Sequence, residues 1–221
     1  MEGHEPIDLK QLLMMTEDLD DLVLEAEKNP IMLKAIIELL SSETSSIKFT
    51  ATKIIRLLSE RTPKCVYPYF DEIVSWMHHT NSFIKWDAIR ILANLCAVDV
   101  DQKFMMIYDD YFSLLHDQKM ITAATVIGNA WKIIEAWPAL EREVTCKLLE
   151  VPNITYFDKG EPSPECNCIA CGHLLDCFDR YFDQSKLQPQ ILSFATNQLT
   201  SSRKAVIKKA ERFMKNHSAG V

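Results

Sequence analysis

Five segments of this chain can be laid over one another: Ile47-Lys48-Phe49-Thr50-Ala51, Ile84-Lys85-Trp86-Asp87-Ala88, Met120-Ile121-Thr122-Ala123-Ala124, Cys166-Asn167-Cys168-Ile169-Ala170 and Ser202-Arg203-Lys204-Ala205-Val206. Their last residues fall at 51, 88, 124, 170 and 206, giving steps of 37, 36, 46 and 36. A period in this range is that of stacked helical hairpins, each unable to bury its apolar face without a neighbour. Gly is scarce, with 5 residues, and no long stretch alternates with period two, so an all-α fold is expected.

The punctuation agrees. Asn29-Pro30, Thr62-Pro63 and Trp137-Pro138 place Pro where a helix can start, because the first-turn N–H has no partner inside the helix. Ser45, Asn81, Asp99, Asp117 and Ser163 are candidate N-caps or their neighbours. Helices are predicted over about 31–41, 45–60, 63–79, 82–98, 101–116, 119–136, 138–150, 164–182, 186–199 and 202–216. Paired, they form five hairpins: about 30–60, 63–98, 101–136, 137–182 and 186–217, each an outer helix followed by a phrase-bearing inner one. Residues 1–29 would cap the array with acidic helix, and residues 1–221 would form one domain.

At about 100° per residue, Ile84, Ala88, Ile91, Leu92 and Leu95 share a face, as do Ile47, Ala51, Ile54, Ile55 and Leu58. In the third copy Met120, Ala124, Ile127 and Trp131 take those places, and in the last Val206, Ala210 and Phe213. A small residue at the Ala position lets inner helices approach one another.

Ile47-Lys48 followed by Ala51 and Ile54-Ile55, and Ile84-Lys85 followed by Ala88 and Ile91-Leu92, resemble the inner helix of the HEAT repeat family. Ser202-Arg203 with Val206 matches in part, while Ile121 and Asn167 replace the family's basic residue. The resemblance covers roughly residues 30–217 and implies a right-handed α-α superhelix, an α-solenoid. It says little about function, because such repeats serve mostly as scaffolds.

Charge is uneven along the chain, whose net value is −7. Residues 1–27 carry nine acids against Lys10, and residues 199–217 carry six bases against Glu211. Both ends suit solvated caps of an array, and either could dock a partner of opposite charge. No apolar run approaches the ~20 residues that span a bilayer. Met1-Glu2-Gly3-His4-Glu5 lacks the basic and apolar regions of a secretory signal. Seven Cys, an odd number without a disulfide-framework spacing, fit reduced thiols in the cytoplasm.

The longer step before the fourth copy falls at residues 151–162, rich in helix-hostile residues and carrying Tyr156 and Phe157, two aromatics that read as exposed. Cys166, Cys168 and Cys171, with His173 and Cys177, are the one cluster of metal-ligand type. On a helix opened by Pro164, Cys166 and Cys168 face nearly opposite ways, so buried thiols, without metal or cofactor, are the expectation. His78 and His79 suit a helix C-terminus. Asn94 and Asn129, mid-helix, are expected to bond backbone or a neighbouring repeat. No phosphate loop, nucleophile elbow or His-Glu-x-x-His motif is present, and no catalytic residue is assigned.

The row of the inner helices opposite the core carries Phe49 and Lys53, then Trp86, Arg90 and Asn94, and finally Lys204 and Lys208. In a solenoid this row lines the concave surface, and these residues are the candidate partner-binding set. Trp and Arg dominate binding hot spots, though Phe49 and Trp86 could instead pack between adjacent inner helices. The function expected is a non-enzymatic scaffold for a protein or peptide partner. The alternative is a nucleic-acid protein similar to the HEAT-like alkylpurine DNA glycosylases, whose concave face uses Trp, an Asp four residues on, and Arg. Here Arg90 follows Trp86, Trp131 with Glu135 is expected to face the core, and a charge of −7 suits a phosphate groove poorly.

Overall fold

The computed structural model describes Leu13, residues 19–42 and residues 47–217, apart from the side chains of Ser41 and Ser42. Most of the acidic segment and the expected cap Ser45 lie outside the described residues. The chain separates into two compact units, one ending at Asp101 and one beginning at Gln102.

The first unit holds α1 (Leu19–Lys28), α2 (Pro30–Ser42), α3 (Ile47–Arg61), α4 (Pro63–Val66), α5 (Phe70–Trp76) and α6 (Ser82–Leu95). The inner helices α3 and α6 lie side by side, with α2 packed on α3 and α5 on α6. Ile47, Ala51, Ile54, Ile55 and Leu58 meet Ile84, Ala88, Ile91 and Leu92 in the core, all essentially without solvent contact. Asn29 caps α2, its Oδ1 accepting from the N–H groups of Ile31 and Met32 at 3.1 Å each. Asn81 caps α6 through Phe83 N (2.9 Å), as its sequence position suggests. Asp99, also read as a cap, instead accepts from the Tyr67 hydroxyl at 2.6 Å. The helix predicted over 63–79 is broken at Tyr67–Tyr69, a 3-10 turn containing Pro68. Proline supplies no N–H and its ring crowds the preceding turn, so the helix restarts at Phe70.

The second unit holds α7 (Lys103–Ser113), α8 (Met120–Ala136), α9 (Glu141–Leu149), α10 (Pro164–Phe178), α11 (Gln188–Gln198) and α12 (Lys204–His217). Its inner helices α8, α10 and α12 pack in succession. A Cβ at Gly172 would sit 3.3 Å from Val206 Cγ2, so Gly172 admits α12 closely against α10. Across that seam Lys209 donates to Gly172 O (3.2 Å), and Lys209 and Arg212 both reach Asp176. His217 closes the end of α12, stacked on Phe182 and Phe213 with Nε2 2.7 Å from Asp179 Oδ1.

The fold is thus all-α and built from helical repeats, with the inner helices at the positions the repeated phrase marks. The third copy, however, runs one residue out of the expected register. Ala123, Val126, Ile127, Ala130, Ile133 and Ile134 are buried, whereas Ala124, Met120 and Trp131 keep partial exposure. Trp131 lies at the surface, its indole N–H donating to Gly128 O (3.1 Å) and the Arg180 guanidinium 5.4 Å above its ring.

The long insertion also differs from expectation. A two-stranded antiparallel hairpin, β1 (Phe157–Asp158) and β2 (Glu161–Pro162), turns at Lys159 and Gly160, both with positive φ. Gly160 suits that turn because it lacks the Cβ that crowds positive φ. Tyr156 is fully buried, its hydroxyl donating to Leu115 O at 2.9 Å. Asn167 holds the approach to the hairpin from both sides, Nδ2 donating to Ile154 O and Oδ1 accepting from Tyr156 N. Asn167 therefore stands in the basic position of the HEAT-like phrase for a local reason: this copy must clamp an insertion.

Ala88→Phe and Ala123→Phe should each overpack an inner-helix seam and cost about 1–3 kcal/mol. Ala124→Phe should lower the unfolding midpoint distinctly less. Equal losses at 123 and 124 in thermal unfolding would contradict the register described above.

Candidate functional site

On α3 and α6 the residues of the expected row stand together. Phe49 is 41% exposed and Phe83, one turn before Asp87, is 62% exposed. The two rings meet edge-on with centroids 5.8 Å apart, and Phe83 meets Trp86 in the same way at 5.3 Å. Trp86 is half-buried at the end of this aromatic row. The 3.6-residue repeat carries each side chain to a neighbour one turn along: Phe49 to Lys53, Phe83 to Asp87, Trp86 to Arg90. The result is two parallel rungs, an aromatic one and a charged one, across a pair of adjacent helices.

Phe49 and Phe83 of the first and Lys53, Asp87 and Arg90 of the second line an open groove of about 650 Å³, beside which Trp86 packs on Phe83. Its floor is an ion cluster centred on Asp87. Oδ1 lies 3.1 Å from Arg90 Nη1 and 3.3 Å from Arg56 Nε, and Arg56 Nη1 is held from its other side by Glu60 at 2.8 Å. Thr52, buried beside them, donates its hydroxyl to the carbonyls of Lys48 and Phe49 at 3.0 and 3.1 Å. Burial pushes the Asp87 carboxyl above its ordinary pKa, and the Arg56 and Arg90 guanidiniums only partly offset that shift. Negative charge is recessed here, while Lys53 and Arg90 remain accessible above it.

Asn94 does not belong to this surface. It is buried and donates Nδ2 to Ser59 Oγ at 2.9 Å, joining α6 to α3. Asn94 thus bonds a neighbouring helix, whereas Asn129 bonds the backbone of its own, donating to Thr125 O at 2.8 Å within α8. Lys204 and Lys208 are exposed on α12, in the second unit. Sequence reasoning missed Phe83, Arg56 and Asp87. All three lie one helical turn or one ridge from residues it named, so the signal was present in the wheel of α6 and α3.

Among the described residues no group of three His, Cys, Asp or Glu is placed to hold a metal ion. Burial raises the Cys171 thiol to about 11 and the Cys177 thiol to about 12. Both are thereby poor nucleophiles at neutral pH. His173, beside them, is shifted below its ordinary value by burial and by Lys209. Among the described residues no helix is long and apolar enough to cross a membrane.

No family model matches the sequence, and no curated protein matches it either. Among solved structures, an engineered protein is similar at 17% identity and a TM-score of 0.49, each chain covered over 96%. A designed armadillo repeat protein in complex with the peptide (KR)4 is similar at 15% identity and a TM-score of 0.49, with 94% of this chain and 98% of that one covered. A second designed armadillo repeat protein shares 15% identity at a TM-score of 0.46, covering 94% of this chain and 99% of that one. The all-α assignment made here rests on the helices themselves.

Two measurements check the site's chemistry. Asp87 has a folded pKa above its unfolded value, so between those two values the folded state binds more protons than the unfolded chain. Its contribution to stability is present below about pH 4 and is lost as pH rises through the raised folded pKa. Asp87→Asn should remove that component from the stability–pH profile, and an unaltered profile would refute the assignment. In native alkylation at neutral pH, exposed Cys146 should react well ahead of buried Cys171 and Cys177. Mass spectrometry of partially labelled protein reports the order.

Proposed function

We propose that this chain is a non-enzymatic helical-repeat scaffold that binds a protein or peptide segment in the groove between α3 and α6. The observation that carries this reading is the placement of solvent-exposed Phe49 and Phe83, with Trp86, directly beside accessible Lys53 and Arg90. Monomeric surfaces seldom expose large aromatic side chains in contact with one another. A rigid aromatic anchor next to a guanidinium is the composition of a binding hot spot. The resemblance of the inner-helix phrase to HEAT repeats supports the same reading, since members of that family act mostly as scaffolds.

The groove also has the proportions of a side-chain receptor. Its volume is of the size that admits one or two large side chains, and its walls belong to two helices fixed by the Ala51 and Ala88 seam. Little reorganisation is then needed on binding, which favours affinity from a small contact area.

Selection of a random peptide display library against the full chain tests the proposal. Enriched peptides should shift the backbone amide resonances of residues 49–56 and 83–90. They should bind Phe83→Ser at least about tenfold more weakly, as loss of a hot-spot aromatic implies. Phe83 is largely exposed, so that variant should keep its helical content and unfolding midpoint. Peptides that map to other residues, or bind Phe83→Ser undiminished, would overturn the reading.

A further inference from the structure

We infer that the segment this groove accepts is acidic and carries a large apolar side chain about one helical turn from a carboxylate; this rests on the binding role proposed above. The inference comes from how charge is layered. Among the described residues that line the groove, Asp87 is the one carboxylate, and it lies against two guanidiniums that compensate it. Arg56 is engaged on both sides, by Asp87 and by Glu60. What an incoming segment meets is therefore Lys53, exposed, and Arg90, which uses one Nη1 on Asp87 and has further N–H donors in its fork.

A basic segment would be poorly received. To reach Asp87 it would have to displace Arg56 or Arg90, and in doing so it would leave a desolvated guanidinium without its partner. It would also approach two accessible cations of like sign, which disfavours docking and slows encounter. A carboxylate requires neither change. It adds a second acceptor to Arg90 and a first to the groove-facing side of Lys53, giving charge-assisted hydrogen bonds at a partly dried site.

The aromatic rung sets the spacing. Phe49 precedes Lys53 and Trp86 precedes Arg90 by four residues, so the apolar and cationic rungs are about 6 Å apart along the helices. A partner must present its apolar side chain and its carboxylate at that separation. Alternate residues of an extended segment do so, at about 6.6 Å, as do residues one turn apart on a helix.

Fluorescence anisotropy with three labelled synthetic peptides tests this on the full-length chain. The first is Asp-Glu-Phe-Asp-Glu-Leu-Asp, the second has Lys at every acid, and the third has Ser in place of Phe and Leu. The first should bind at least about tenfold tighter than either of the others, a difference of about 1.4 kcal/mol. Its affinity should fall as salt is raised from about 50 to about 300 mM, because the accessible cations are screened. Lys53→Glu/Arg90→Glu should reverse the preference toward the Lys peptide. If that double variant loses its helical content, Lys53→Glu alone should still weaken the acidic peptide about fivefold.

A Lys peptide that binds the native protein as tightly as the acidic one would overturn the inference. So would an acidic peptide indifferent to both charge reversals. If such peptides still lose affinity with Phe83→Ser, the groove is a binding site and only the acidic preference fails. If no peptide, synthetic or library-selected, responds to Phe83→Ser, the binding role and the inference fall together.

Discussion

How closely two inner helices can approach governs everything else in either unit. Ala51 and Ala88 have no solvent contact, and neither carries atoms beyond Cβ, so they leave room for α3 and α6 to pack closely side by side. The larger residues above and below that line, Ile47, Ile54 and Leu58 against Ile84, Ile91 and Leu92, then interdigitate. In the second unit Ala123, Ala170 and Gly172 serve α8, α10 and α12 in the same way. A larger side chain at any of these positions would separate the pair and open the layers built on them.

The groove follows from that approach. Two helices held close by small residues on one face splay the side chains of the opposite face, and no third helix among the described residues covers Phe49 and Phe83. Phe49 and Phe83 remain exposed for this reason, and they meet each other because their helices are close. The Asp87 cluster uses the same proximity: Arg56 of α3 reaches across to the carboxylate that Arg90 holds from within α6. A carboxylate at that position would be costly if left alone in a partly dried cleft, and its raised pKa records the residual cost. Its presence holds the Arg56 and Arg90 guanidiniums in place on the groove floor.

Much of this was legible in the residue order. The spacing of the phrase located the inner helices, and Asn81, Ser163 and Pro164 marked their starts. What was not legible had identifiable physical causes. Two adjacent alanines in the third copy satisfy the phrase equally well, and only the run Val126-Ile127, Ala130 and Ile133-Ile134 decides that Ala123 faces the core. Tyr156 read as exposed because it sits among turn residues, yet its ring fills a core site and its hydroxyl reaches Leu115 O, a partner 41 residues away in sequence. Asn94 fell on the correct angle for the exposed row, but it is buried, its amide bonded across the seam to Ser59. The last two outcomes depend on a residue distant in sequence, which periodicity within one helix cannot register, whereas the first needed the whole length of α8 and not the phrase alone.

The insertion before α10 shows how a repeat absorbs a disturbance without losing its seam. A loop of this length would ordinarily leave several backbone groups without partners where it crosses the helices. Here the Tyr156 amide, the Ile154 carbonyl and the Phe157 amide are met by Asn167 and by Gln118 O, and the Tyr156 ring closes the gap beneath. The substitution that weakens the HEAT-like signature, asparagine for a basic residue at 167, thus supplies both a donor and an acceptor that an arginine or lysine could not. Divergence at 167 has a local structural cause, the clamping of an insertion.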